Sequence, residues 1–417
     1  MGARWFLPFL LGPALHYFPM KITRRIFSFV FLLGLFVFPV AGGSADKPAA
    51  SRKYLVFVGT YTTKTESKGI YEYEFDSETG KLTPKGVAAE TPDPSWVAVH
   101  PSGKFLYAAN EAGKASSVSA FSIDKKSGKL TPLNQMPALG EDPCYVSFDR
   151  TGKYVFVANY SSGNVVVFPI GADGKLGAAT ANVRDEGKLG PNKERQDGPH
   201  AHWIGMHGNA VFVADLGLDR VLIYRFDPAK GTLRRPHGPD ANHPFVSSDL
   251  ELSPGTGPRH AVFSYTEDSR RLIYVLGELD STVALFVTTI EGTYSGLAGQ
   301  KLTMLPAGFS GRNDAAEIAI HPNGKFLYTS NRGDDSIAVF AIDPVKGTLT
   351  FVAHVPTGGK EPRHFAIDPS GKYLLAENQL SNNIVVFKID PATGGLTPTG
   401  QVVEIPSPVN MAFWPED

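Results

Sequence analysis

One phrase, "HPSGKFLYAAN" at 100–110, returns along the chain and limits what the chain can fold into. It recurs as "DRTGKYVFVAN" (149–159), "MHGNAVFVAD" (206–215), "HPNGKFLYTSN" (321–331) and "DPSGKYLLAEN" (368–378), with a degenerate copy, "TEDSRRLIYVLGE", at 266–278. The turn position falls at Gly103, Gly152, Gly208, Ser269, Gly324 and Gly371, 47 to 61 residues apart. Glycine suits that position because a tight hairpin turn needs positive φ. A unit of this length, repeated, buries its apolar faces only by stacking on copies of itself.

A second phrase follows each first one. It is an alternating strand, as in "SIAVFAIDP" (336–344), "NIVVFKIDP" (383–391) and "GIYEYEFD" (69–76), then a turn and a short strand such as "GKLTP" at 80–84 and 128–132. Seven alternating strands can be counted. Each repeat therefore reads as four antiparallel strands: an inner one after a proline, one after the glycine turn, the alternating one, and an outer one. Four strands repeated seven times predict an all-β, seven-bladed β-propeller. The first repeat opens at "YLVFVGTY" (54–61) with no inner strand before it, and the chain finishes on an unpaired inner strand, "PVNMAFWPED" (408–417). The C-terminal strand is therefore expected to complete the first blade and close the ring, leaving no open edge.

Composition agrees and narrows the partners. The 43 glycines, 32 prolines, 27 phenylalanines and 15 tyrosines are those of a turn-rich β globule. A net charge of −1 offers no field for nucleic acid. The single cysteine, Cys144, excludes an intramolecular disulfide and a cysteine metal cluster, and is expected to fill a small buried space.

The N-terminal segment stands apart from the repeats. From Met20, the expected start, Lys21, Arg24 and Arg25 precede an apolar run at 26–40 and then small residues, the layout of a secretory signal peptide. The expected organisation is a signal segment at 1–45, a linker at 46–53 and one domain at 54–417. Export to the periplasm or the medium is expected rather than a cytoplasmic location, with no membrane insertion after cleavage, and a closed ring is expected to be a monomer.

The candidate site follows from the strand order. Inner strands line the central channel, so their starts ring one mouth, beside the ends of the second strands. The first positions after the repeat prolines are Ser95, Cys144, His200, Arg259, Arg363 and Val409, while the sixth repeat brings Arg312 and Glu317. Second-strand ends bring Tyr61, Asn110, Asn159, Asp215, Glu278, Asn331 with Arg332, and Glu377 with Asn378. Strand alternation places His200 and His202 on one face and turns His260 and His364 away from Arg259 and Arg363. Asn110, Asn159 and Asp215 read as turn caps. The remaining cations in one narrow funnel repel unless an anion visits. Tyr61, His202, Glu317, Asn331 and Arg363 are therefore candidate substrate-binding residues.

The set "GTYT" (59–62), "GPHAHW" (198–203), "GPRHAVF" (257–263), "GELDSTV" (277–283), "AEIAIHPNGKFLYTSNRGDDSIAVF" (316–340) and "PRHFAIDPSGKYLLAENQLSNNIVVF" (362–387) resembles the seven-bladed propeller lactonases. That family includes 6-phosphogluconolactonases and 3-carboxy-cis,cis-muconate cyclases, and the resemblance covers 54–417. It implies a metal-independent, cofactor-free site with His200, Arg259, Glu278 and Arg332 as catalytic residues, carried over by motif. One slip of strand register would exchange His200 for His202.

The residue types fit lactone opening. A neutral His activates water, a fixed Arg stabilises charge on the carbonyl oxygen, and a second Arg holds a carboxylate, phosphate or hydroxyl. Glu278 would orient the His or accept a sugar hydroxyl. The small-molecule partner is then a sugar lactone of the 6-phosphogluconolactone type. An exported N-terminus departs from the cytosolic setting of the phosphogluconolactonases. The same groups would serve a muconate-type cyclase, and a non-catalytic binding platform needs only the fold. A calcium-dependent site would instead draw on Glu278, Asp215 and Asn159. No serine-nucleophile elbow or zinc motif is present. Long connections at 179–198 and 236–257 are expected to fold over the mouth and set substrate choice.

Overall fold

The computed structural model describes residues 52–235, 249–287 and 299–414. The expected signal segment, the linker as far as residue 51, and 236–248 of the second long connection lie outside the described residues. Among the described residues no helix is long and apolar enough to cross a membrane.

Seven antiparallel sheets follow one another, each a blade of four strands, the fourth with a short extra strand at Leu250–Glu251. Blade 1 joins Lys53–Thr60, Gly69–Asp76 and Lys81–Glu90 to the C-terminal inner strand Pro408–Trp414. Blades 2 to 7 occupy 94–137, 143–184, 201–234, 258–303, 314–356 and 362–404. The expected closure is present: Leu55 faces Trp414, Val56 faces Phe413 and Val58 faces Met411. The Trp414 indole N–H also donates to Gly103 O at 2.8 Å, tying the closing strand to blade 2.

The core lies between the blades. Each of seven apolar clusters joins two neighbouring sheets, such as Val56, Phe75 and Leu375 between blades 1 and 7, or Phe156, Ile204 and Leu222 between blades 3 and 4. Every blade therefore depends on its neighbours to bury both faces.

The repeated phrase encodes these joints. The His of its "HP" reaches the turn glycine of the next blade: His100 Nε2 is 2.7 Å from Gly152 O, and His321 Nε2 is 2.7 Å from Gly371 O. Its Tyr donates to a later turn of the next blade, from Tyr107 to Gly174 O at 2.8 Å and from Tyr328 to Gly394 O at 2.8 Å. The turn residues all have positive φ, from 65° to 73°, with Ser269 at 65° in the degenerate copy. For a non-glycine residue that is a strained conformation.

Every inner strand carries a β-bulge at its mouth end, and this was not foreseen. Pro94 faces Asn110 but Trp96 faces Ala109, so Ser95 is extra. The same shift makes Cys144, His202, Arg363 and Val409 extra, and inserts one residue within 259–260 and within 316–317. A bulge breaks the two-residue alternation and re-aims the side chain. Simple alternation therefore fails at the position that points into the mouth.

Candidate active site

Two rings of side chains build the mouth. One is the bulge ring, which supplies Cys144, His202, Arg259 and Arg363. The other comes from the residue after each second-strand end: Tyr61 after Thr60, Glu111 after Asn110, Tyr160 after Asn159, Glu278 after Gly277, and Arg332 beside Asn331. All of these but Arg259 line a cavity of about 250 Å³, completed by Arg195 from the long connection between blades 3 and 4, and Arg259 pairs with Glu278 from outside that lining.

Glu278 is the electrostatic centre. Its Oε2 lies 3.0 Å from Arg259 Nε and 3.1 Å from Arg332 Nη2, and its Oε1 pairs with Arg195 Nη2. Burial pushes the Glu278 carboxyl up, but Arg332 and Arg259 outweigh it and hold it well below the usual carboxylate range. Burial and the neighbouring Arg332 charge push Arg259 down to about 10, so it stays cationic at neutral pH. Arg259 also donates to Ala316 O through Nη1. On the opposite wall, Tyr61 donates to Glu111 at 2.7 Å, and the Arg363 guanidinium lies 5.2 Å above the Tyr61 ring and 3.9 Å from Glu111.

The cations do not stand unbalanced, as the sequence had suggested. Arg195 also reaches Asp314 at 3.2 Å and Arg332 reaches Glu361 at 3.7 Å. With Arg312 on Asp314 at 3.0 Å, five guanidinia share Glu111, Glu278, Asp314 and Glu361.

His202, not His200, faces the cavity. In "GPHAHW" the proline stands two residues earlier than in the other repeats, and Ala201 takes the register place of Pro143 or Pro258. His200 lies behind the wall, stacked on Tyr160 at 4.6 Å, with Nδ1 3.0 Å from Tyr160 O and Nε2 2.9 Å from Asp197. Burial and the Arg259 charge hold the His202 imidazole well below its ordinary value, which keeps it neutral.

Other expected site residues fall elsewhere. Asn331 is fully buried and gives its amide to Met304 O at 2.9 Å and Ser336 Oγ at 3.3 Å, so it ties a turn and does not reach substrate space. Glu317 lies with His260, 2.9 Å from its Nδ1, and is not among the residues lining the cavity. His260 and His364 are turned inward by the bulges, against expectation, and both pack edge-on against Trp96. Asn110 and Asn159 bond to backbone or hydroxyl groups as caps, and Asp215 accepts the His200 and Leu218 amides at 2.9 and 3.0 Å. Among the described residues no group of three His, Cys, Asp or Glu side chains is placed to hold a metal ion.

Glu111, Tyr160 and Arg195 were missed. The first two share the register of Glu278 and Arg332, which was the available signal. Arg195 stands outside the repeat and has no periodic signature. Of the two long connections, 179–198 does reach the mouth through Arg195, while the described end of 236–257 runs along blade 4 as Leu250–Glu251.

Comparison with known proteins agrees with this architecture. The family model described as "Lactonase, 7-bladed beta-propeller" matches residues 55–413. The 6-phosphogluconolactonase of Bacillus subtilis (strain 168) is 37% identical over 314 residues, covering 75% of this chain and 84% of its own. A protein of the same name from Formosa agariphila is 32% identical over 321 residues, 74% of this chain and 85% of its own. Among solved structures, the periplasmic gluconolactonase PpgL of Pseudomonas aeruginosa superposes with a TM-score of 0.78 at 34% identity, covering 88% of this chain and 100% of that one. The chain belongs to the seven-bladed β-propeller lactonase family.

Proposed function

We propose that this chain opens a sugar lactone by adding water at the ring carbonyl, in the cavity at the channel mouth. The observation that carries the reading is one neutral, enclosed imidazole, His202, set against guanidinia held on Glu278. A neutral His202 takes a proton from the attacking water. Negative charge then grows on the carbonyl oxygen, where Arg332, held on Glu278 with Arg259 on the same carboxylate oxygen, is a fixed donor that needs no reorganisation. Glu278 holds those guanidinia in place. Arg363 and Arg195 on the opposite and outer walls receive the new carboxylate.

The names of the relatives support a six-carbon sugar lactone. The likeness to a periplasmic gluconolactonase favours an unphosphorylated lactone over a phosphorylated one. The basic and apolar N-terminal stretch, and the likeness to a periplasmic gluconolactonase, support export, and the closed ring supports a monomer.

The test follows the opening of gluconolactone and of 6-phosphogluconolactone against their spontaneous rates. The parent is expected to accelerate gluconolactone more, and His202→Ala to lose about a hundredfold or more of that gain. A stronger effect on the phosphorylated lactone would reverse the substrate assignment. No acceleration of either would remove the hydrolase reading for these substrates.

A further inference from the structure

Beneath the cavity four ionisable side chains form a line that the ring-opening step above does not use. His260 Nδ1 lies 2.9 Å from Glu317 Oε2, the same oxygen lies 3.7 Å from His364 Nε2, and His364 Nδ1 lies 2.6 Å from Glu377 Oε2. Their side chains are only 2%, 10%, 8% and 0% exposed in that order. They come from three blades, the fifth, sixth and seventh. At the upper end the His260 ring stands edge-on to His202, centroids 5.1 Å apart. Two carboxylates enclosed this deeply are costly for stability alone, since apolar side chains of similar size would serve packing at least as well.

His364 Nε2 has two rival partners. The Asn410 amide is anchored, because its Oδ1 accepts the Val97 N–H at 2.7 Å, and this leaves its Nδ2 donor 3.3 Å from Nε2. A donor there requires a lone pair on Nε2, hence a neutral ring. A proton on Nε2 would give up Asn410 and turn to the Glu317 carboxylate, while the Nδ1 bond to Glu377 persists. The neutral ring has both partners in place, and the protonated ring reaches Glu317 by closing the 3.7 Å gap through a side-chain shift.

Hydrolysis of a lactone makes exactly one acid. A bond forms between water oxygen and the acyl carbon, the ring C–O bond breaks, the ring oxygen leaves as a hydroxyl with one proton, and the new carboxyl group ionises. One proton is left over per turnover, in a cavity lined by the guanidinia of Arg195, Arg332 and Arg363. We propose that the His260–Glu317–His364–Glu377 line takes up this proton from His202 and holds it at His364 until product leaves. The proposal rests on the lactonase reading of the cavity. In the transfer His260 Nε2 accepts the proton, its Nδ1 proton passes to Glu317, and Glu317 passes that proton to His364 Nε2; this leaves His260 as its Nε2–H tautomer, and the reverse transfer after product leaves restores both histidines.

The charges around the line favour this direction. Burial and Arg259, whose Nη1 is 3.4 Å from both ring nitrogens, hold His260 well below its ordinary value, and His202, His364 and Arg363 push the same way; His260 hands a proton on and does not keep it. Burial also lowers His364, and Arg259 opposes its charge, but Glu377 and Glu317 outweigh both and raise it. Burial raises Glu317 and Glu377, with His364 lowering each and Arg259 lowering Glu317. Trp96 and Tyr145, which close the sides, add no charge at neutral pH.

The experiment is a single turnover of gluconolactone by the full chain in weakly buffered solution, with a pH indicator read beside ring opening. Proton appearance is expected to lag ring opening and to track product release. In Glu317→Gln and His364→Asn, checked for folding by melting, the lag is expected to vanish, kcat to fall about tenfold or more with KM little changed, and the acid limb of the pH profile to move. Proton release in step with ring opening in the parent overturns the proposal even if neither variant folds. So do folded variants that keep kcat and the pH profile. A parent that opens no lactone defeats the lactonase reading itself, which is a separate outcome.

Discussion

The Cys144 thiol and the His202 ring occupy the same bulged position in neighbouring blades, and Cys144 Sγ lies 3.7 Å from His202 Nδ1. A thiol beside an imidazole could suggest a nucleophile, but the surroundings argue otherwise. Cys144 also contacts the carbonyls of His202 and Ala201 at 3.4 and 3.7 Å, contacts that suit S–H as a donor. Burial raises the thiol above its ordinary value, with Glu111 adding to the effect, so the thiolate is not formed at neutral pH. On the proposed reaction the thiol is a wall beside the base.

Cys144→Ser should therefore keep ring opening within about threefold of the parent, since no covalent step passes through sulfur. A search for a thioester by mass spectrometry after rapid quench should find none. Loss of activity in a folded Cys144→Ser protein would make sulfur the nucleophile.

Glu278 carries stability through its ion pairs with three guanidinia. Glu278→Gln removes the charge that Arg195, Arg259 and Arg332 share and should cost about 3–5 kcal/mol at neutral pH, as for breaking a buried ion pair. Its carboxyl is held lower in the folded chain than in the unfolded one. The stabilisation is therefore complete above the unfolded value and is lost as pH falls toward the folded one. Melting curves of parent and variant should converge in acid.

Asp185 has the opposite sign. Burial, and the nearby Asp215 carboxylate, raise Asp185 well above its ordinary value, with the Tyr224 hydroxyl donating to it at 2.6 Å. The folded chain thus holds a proton there that the unfolded chain releases, and stability falls as pH rises from the unfolded toward the folded value. Asp185→Asn should melt higher than the parent at neutral pH and lose that advantage near pH 4. A variant less stable than the parent at both pH values would contradict this sign.

The fold was legible because its joints are written in the repeated phrase. His100, Gly103 and Tyr107 each have an interblade or turn duty, and the same letters return wherever the duty does. Tyr61, Glu278, Arg332 and Arg363 were legible at the mouth for the same reason, while Arg259 sits on Glu278 outside the cavity lining. His200 was mistaken for His202 because the proline of that repeat stands two residues early. The faces of His260 and His364 were misread because a bulge leaves no mark in an alternation pattern. Glu317 was placed in the right blade but one layer too high, and Arg195 lies in a connection that no other repeat copies.

The most direct test compares His202→Gln with His200→Gln for gluconolactone opening by the full chain, each checked by melting temperature. A general base lost at His202 should remove about a hundredfold or more of kcat, while His200→Gln, whose side chain lies behind Tyr160, should stay within about tenfold of the parent. Full activity in a folded His202→Gln protein, with loss confined to His200→Gln, would contradict the account.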